Sequence, residues 1–361
     1  MTNRRQFLQV ITALSGLSLA GCGWRLADVR ASSTNRGSRD RLNIYTWTQY
    51  TNQELLKTFT TQTGIKIIAD LYDSNEVMLA KLQAGGGGSY SVVYPSDYMV
   101  QKMVEKGLLT QLNHQFLTGL DNLFPQFQNP TYDASNQYSI PYSWGTTGLI
   151  YNSEIIKTPP QDWDYLWQNK ELLNKRVTLL NDVREVMGAV LRMLGYSYNS
   201  KNENEIRQAY EKLKELKPII SAFDTDAWRH KIVAGDLSIA MCYSLDGVNI
   251  SQENPKLKYV LPKSGSSLWT DTIAILKTAP NPDGAYTWLN FMLQPEIAAK
   301  TSQLLTVATP NRAAFELLPQ KIQSNTDIFP SEDLLEKCER ITPLGQIEEV
   351  YDRYWTELTS S

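Results

Sequence analysis

Residues 42–94, LNIYTWTQYTNQELLKTFTTQTGIKIIADLYDSNEVMLAKLQAGGGGSYSVVY, decide the fold. Leu42 to Tyr45 is a short apolar run that reads as a strand, and Asn52 to Gln62 places its apolar residues at helical spacing until Gly64 stops it. Ile65 to Leu71 reads as a second strand. A helix from Ser74 to Ala84 ends at Gly85-Gly86-Gly87-Gly88, and Val92 to Tyr94 is a short buried strand feeding a helix near Asp97. The order strand, helix, strand, helix, strand predicts a mainly parallel sheet with helices on its faces.

The same alternation returns further along the chain. Strands are expected at Val177 to Leu180, Leu237 to Tyr243 and Trp269 to Leu276, with helices at Arg184 to Leu194, Asn204 to Leu216 and Thr225 to Ala234. The C-terminal third is mostly helical, opening near Pro282 and again near Pro295, where proline suits a first turn. A chain of 361 residues, 42% hydrophobic and 20% charged, has the size and composition of two lobes of about 150 residues each. The expectation is therefore an α/β protein with two lobes meeting at a cleft, ligands binding beyond the carboxyl ends of the strands.

The first 22 residues read as an address. Arg4 and Arg5 precede the apolar run Phe7 to Ala20, and Leu19-Ala20-Gly21-Cys22 follows. That run of 14 residues is shorter than the roughly 20 that a membrane-spanning helix needs, so it reads as a signal-peptide core with a twin-arginine-type export signal. Cys22 stands where a lipobox cysteine is acylated and becomes the new N-terminus. Residues 1–21 are thus expected to be removed, 22–41 to form a flexible tether, and the protein to sit outside the cytoplasm, anchored to a membrane through Cys22.

Composition excludes several functions. Lys and Arg number 35 against 38 Asp and Glu, a net charge of −3 that becomes −5 without the arginines of the address. A mildly acidic body argues against nucleic acid and suits a cationic ligand. Only His114 and His230 are available for metal or triad chemistry, and no Cys-x-x-Cys, His-Glu-x-x-His or Gly-x-Ser-x-Gly occurs. The four glycines lack the Lys-Ser or Lys-Thr of a phosphate loop and end a helix, so they read as a surface turn. No enzyme activity, cofactor or metal is expected. Cys242 lies inside the apolar run Leu237 to Tyr243, which makes a buried thiol as good a reading as a bridge to Cys338.

Aromatic and acidic residues gather where strands end. Trp47-Thr48-Gln49-Tyr50 follows the first strand, Ser96-Asp97-Tyr98 the third, and Tyr243 closes another. In Trp269-Thr270-Asp271 a period of two puts Trp269 and Asp271 on one face. A ring face attracts a cation by about 0.5 to 2 kcal/mol and a carboxylate neutralises it, a mixture suited to an alkylammonium with methylene spacers. Each ring taken singly also fits plain packing on its lobe. Asp182-Val183-Arg184-Glu185 opens a helix after a strand, so Asp182 and Glu185 fit an acidic capping box as well as a ligand site.

These motifs, in order, resemble those of the polyamine-binding components of bacterial ABC importers, the spermidine/putrescine-binding periplasmic proteins. The resemblance runs from about Leu42 to the C-terminus through Tyr45 to Tyr50, Pro95 to Tyr98, Ser139 to Gly145, Asp182 to Val186, Trp269 to Asp271 and Thr309-Pro310-Asn311. It implies a type II periplasmic-binding-protein fold whose chain crosses between lobes near Thr147, Thr270 and Ala314. Lobe 1 would hold residues 42–147 and 271–314, and lobe 2 residues 148–270 and 315–361.

Carried over by position, Trp47, Thr48, Tyr50, Ser96, Tyr98, Asp182, Glu185, Trp269 and Asp271 would line a polyamine site. Gln49 and Tyr243 belong to it too, at positions where the family carries Glu and Trp, and Val307 stands where a Tyr is expected. The implied partners are a polyamine such as putrescine or spermidine and the permease subunits of an ABC transporter, served by a monomer. Other readings are a carrier for a thiamine-like cation or ferric iron, or a lipid-anchored enzyme or sensor on the same fold.

Overall fold

The computed structural model describes residues 39–360. The export signal, Cys22 and most of the expected tether lie outside the described residues. Strand β1 (Arg41–Trp47) pairs in parallel with β2 (Lys66–Tyr72) on one side and β3 (Val92–Val93) on the other, Ile44 standing opposite Ala69 and Val92. Helix α1 (Gln53–Thr63) makes the first crossover. The Asn52 side chain accepts from the amides of Glu54 and Leu55 at its start, and Gly64 ends it with φ 74°, a left-handed turn that glycine adopts without steric cost. Helix α2 (Asn75–Gln83) starts behind Ser74, whose hydroxyl accepts from the Val77 amide, and the glycine run after it forms a tight turn. Helix α3 (Asp97–Glu105) follows β3.

The longest strand is one that no periodicity announced. Every residue of β4 (Ser139–Asn152) is buried, and a strand covered on both faces loses the alternation that marks a half-exposed one. The remaining strands are β5 (Val177–Leu179), β6 (Ile220–Phe223), β7 (Ile239–Tyr243), β8 (Leu257–Val260) and β9 (Leu268–Ile275). From Ser139 to Thr146, β4 lies antiparallel to β9; from Thr147 onward it lies antiparallel to β7, and from Leu149 also to β8. The strand order is β2-β1-β3-β9-β4-β7-β5-β6, with β8 on β4. The outer sets β2-β1-β3 and β7-β5-β6 are parallel, as the βαβ pattern requires, and the centre is antiparallel. The chain enters the second half along β4 and returns along β9 through one junction, which sets their opposite directions.

Two cores flank that junction. Leu42, Ile44, Leu55, Phe59 and Val92 pack with Trp288, Leu289 and Phe291 of helix α8 (Pro282–Leu293) on one side. On the other, Leu149, Val177 and Leu179 meet helices α4 (Val183–Met193), α5 (Glu203–Leu216) and α11 (Glu348–Ser360) through Val186, Leu191, Ile206, Leu213 and Tyr351. Helices α6 (Trp228–Ala234) and α7 (Ser244–Glu253) flank β7 in sequence. Helices α9 (Pro295–Leu305) and α10 (Arg312–Leu317) bury Ala299, Ala314 and Leu318 together, and the rings of Phe315 and Phe329 meet edge to face at 4.9 Å. Phe329 and Leu335 also pack against the first core, and Ile341 against the second. Cys242 and Cys338 are both free thiols. Among the described residues no helix is long and apolar enough to cross a membrane.

Candidate functional site

A cleft of about 680 Å³ opens where β1, β3, β5 and β7 reach their carboxyl ends. It brings together Trp47, Thr48, Gln49, Tyr50, Ser96 and Tyr98 from the first half with Asp182, Glu185 and Tyr243 from the second. Trp269 and Asp271, at the start of β9, complete the set. Thr270 is fully buried and faces away, its hydroxyl oxygen accepting from Arg340 Nη1 at 2.5 Å. Val307 is buried in the first core and does not line the cleft.

Asp271 is held by two hydroxyls. Its Oδ2 accepts from the Tyr50 hydroxyl at 2.5 Å and its Oδ1 from Ser96 Oγ at 2.6 Å. The side-chain amide of Asn75 fixes Ser96 in turn, donating to its hydroxyl at 3.0 Å. Ser96 sits at the N-cap of α3 without capping it, because its hydroxyl is committed to Asp271. Burial pushes the Asp271 carboxyl up to about 6 against the pull of both hydroxyls, so at neutral pH it is ionised, and among the described residues it pairs with no Lys or Arg.

The opposite wall is built differently. Asp182 accepts from the amides of Arg184 and Glu185 at 2.9 and 3.1 Å, so it caps α4 as its spacing suggested and also lines the cleft. Burial raises its carboxyl, and those amides oppose the shift. Glu185 does not close a capping box. It turns inward, 3% exposed, to accept from Ser267 Oγ at 2.7 Å and the Tyr198 hydroxyl at 3.2 Å. Burial, then the nearby Asp182 charge, pushes its carboxyl up to about 8, which leaves it largely neutral at pH 7.

The rings form the walls between these groups. Trp269 meets Tyr243 edge to face at 6.1 Å, and it lies so close to β4 that a Cβ on Gly145 would fall 2.4 Å from its ring. Its indole nitrogen is buried without a partner. Trp47 donates to the Tyr94 carbonyl at 2.9 Å and packs 4.6 Å from Tyr72, so it serves the core and the cleft together.

Residues that the sequence reading passed over complete the lining. Glu76 reaches the cleft from the first turn of α2, where it accepts from the Tyr98 hydroxyl at 3.1 Å. Glu76, like Asp182, lies where a helix opens after a strand's carboxyl end, a signal visible in the sequence after β2. Asp246 lines the cleft with Arg229, which grips it through Nε at 3.0 Å and Nη2 at 2.6 Å. No local pattern signals that pair, since its members sit on different helices. Eleven of the lining side chains are Asp or Glu and three are Lys or Arg. Lys102 is paired with Glu348 at 3.4 Å and Arg229 with Asp246, so the field in the cleft is negative.

An α/β sheet whose central strands serve two cores, with a deep cleft at the junction, is the build of a solute-binding protein. The pattern of the bacterial extracellular solute-binding proteins matches residues 54–330, and the chain belongs to that family. It is 35% identical over 328 residues to a spermidine/putrescine-binding periplasmic protein of Salmonella typhimurium, covering 91% of this chain and 94% of the relative. It is 34% identical over 328 residues to the protein of that description in Escherichia coli strain K12, with the same coverage. Among solved structures, a putative spermidine/putrescine ABC transporter from Listeria monocytogenes superposes with a TM-score of 0.83 at 37% identity, covering 89% of this chain and 99% of that one.

Proposed function

We propose that the protein captures a polyamine outside the cytoplasm and delivers it to an ABC-transporter permease. The observation that carries this reading is the acidic, ring-walled cleft, in which Asp271 is ionised, oriented by two hydroxyls and left without a cation. Asp271 and Asp182 neutralise ammonium groups, and Trp47, Tyr50, Tyr98, Tyr243 and Trp269 enclose the methylenes and stack on charge. Glu185, buried behind Asp182, orients the hydroxyls of Ser267 and Tyr198. Thr48, Gln49 and Ser96 supply polar contacts at the strand ends. The names of the relatives, given for spermidine and putrescine binding, support the same ligand class.

Lobe 1 consists of residues 42–147 and 271–314, and lobe 2 of residues 148–270 and 315–361. Ligand binds one lobe, the other rotates about the β4–β9 junction, and the closed form is what the permease recognises. The Lys102–Glu348 pair, which joins α3 to α11, suits such closure. The protein works as a monomer, exported by a twin-arginine-type signal and tethered through acylated Cys22, and it catalyses no reaction.

Isothermal titration with putrescine, spermidine, spermine and agmatine tests the ligand class. Saturable binding accompanied by a change in tryptophan fluorescence is expected, since closure desolvates Trp47 and Trp269. Absence of heat with all four would end the polyamine reading. Membrane fractionation of Cys22→Ala tests the anchor, which a wild-type distribution would refute.

A further inference from the structure

Glu76 stands outside the set of residues that the family motifs pick out, yet it lines the cleft and receives the Tyr98 hydroxyl at 3.1 Å. Ser74 caps α2 by accepting from the Val77 amide, so the Glu76 carboxylate is not needed to hold the helix start. Among the described residues, neither Glu76 nor Asp182 has a Lys or Arg within ion-pair distance. The nearby cations are engaged elsewhere. Lys102 pairs with Glu348, while Arg184 donates to the Thr342 carbonyl and the Asn199 side chain and lies over the Tyr351 ring.

We infer that Glu76 is a ligand-contacting residue which, with Asp182 and the Tyr98 hydroxyl, holds one terminal ammonium of the bound amine. This rests on the polyamine reading of the same cleft. The two carboxylates approach from opposite halves of the molecule, Glu76 on α2 and Asp182 at the start of α4, and Tyr98 lies close to both. Glu76 is an exposed residue at the edge of the cleft whose carboxyl is raised by partial desolvation and then by the Asp182 charge, with Lys102 opposing the shift. An ammonium between them, with three donors to place, removes that repulsion and ties the halves together. Glu76 thereby supplies a carboxylate in a site where Gln49 lacks one.

The test is titration of wild type, Glu76→Gln and Glu76→Asp with putrescine and spermidine, with melting temperatures recorded for all three. Glu76→Gln is expected to weaken both amines at least tenfold at an unchanged melting temperature, and Glu76→Asp, which keeps the charge, to recover part of the loss. Affinity within twofold of wild type in Glu76→Gln overturns the assignment, as does a loss that Glu76→Asp leaves undiminished. If wild type binds neither amine, it is the polyamine reading that fails.

Discussion

Asp271 and Glu185 are both buried carboxylates in one cleft, and their surroundings give them opposite characters. Asp271 is set by hydroxyls reaching in from the ends of β1 and β3, residues 221 and 175 positions away in sequence, and its carboxyl at about 6 stays ionised at neutral pH. Glu185 lies deeper, beside the charge of Asp182, and at about 8 it is mostly protonated. Similar burial with a different electrostatic neighbour thus leaves one group an ionised carboxylate and the other a mostly neutral hydrogen-bonding support.

The largest effect that could break this contrast is expected from Asp271→Asn. Removing an ionised carboxylate from beneath a bound ammonium should cost about 3 kcal/mol of binding, near a hundredfold in Kd, at nearly unchanged melting temperature. Calorimetric titration with putrescine measures it, and a loss below threefold would place the receptor elsewhere. Asp182→Asn should be intermediate. Asn caps a helix as well as Asp does, so α4 should survive while affinity falls by about 1 to 2 kcal/mol.

The pH dependence sharpens the comparison. Both raised carboxyls bind protons more tightly in the folded protein than in the unfolded chain. Their contribution to the stability of the ligand-free protein is therefore complete below about pH 4 and lost as pH rises through 6 and then 8. A bound ammonium favours the ionised form, so binding releases protons, and polyamine affinity should increase from pH 5 to 7.5. Titrations in buffers of different ionisation enthalpy count those protons, and a pH-independent Kd would mean that Asp271 is already fully ionised at pH 5. The smallest effect is expected from Glu185→Gln, within about 0.5 kcal/mol of wild-type affinity at pH 7, because a neutral group replaces one already neutral. A tenfold loss in that variant would show that Glu185 carries charge toward the ligand.

What the sequence determined by itself is local. Periodicity placed α1, α2, α4 and the strands β1, β2, β3, β5 and β7 to within a few residues but not the edge strand β6, glycine and proline marked where helices stop and start, and the spacing of Asp182 fixed its cap, because each depends on neighbours a few positions away. Alternation also put Trp269 and Asp271 on one face and Thr270 on the other. Only the tertiary structure decided what is non-local. It made β4 a strand buried along its whole length, and its central antiparallel pairing could not be read from residues that do not alternate. It brought together the rings of Phe315 and Phe329, 14 positions apart. It turned Glu185 away from the helix cap toward Ser267 and Tyr198, and brought Glu76 within reach of Tyr98. A hydrogen bond or a desolvation penalty depends on which groups the folded chain brings together, and no window of sequence contains both partners.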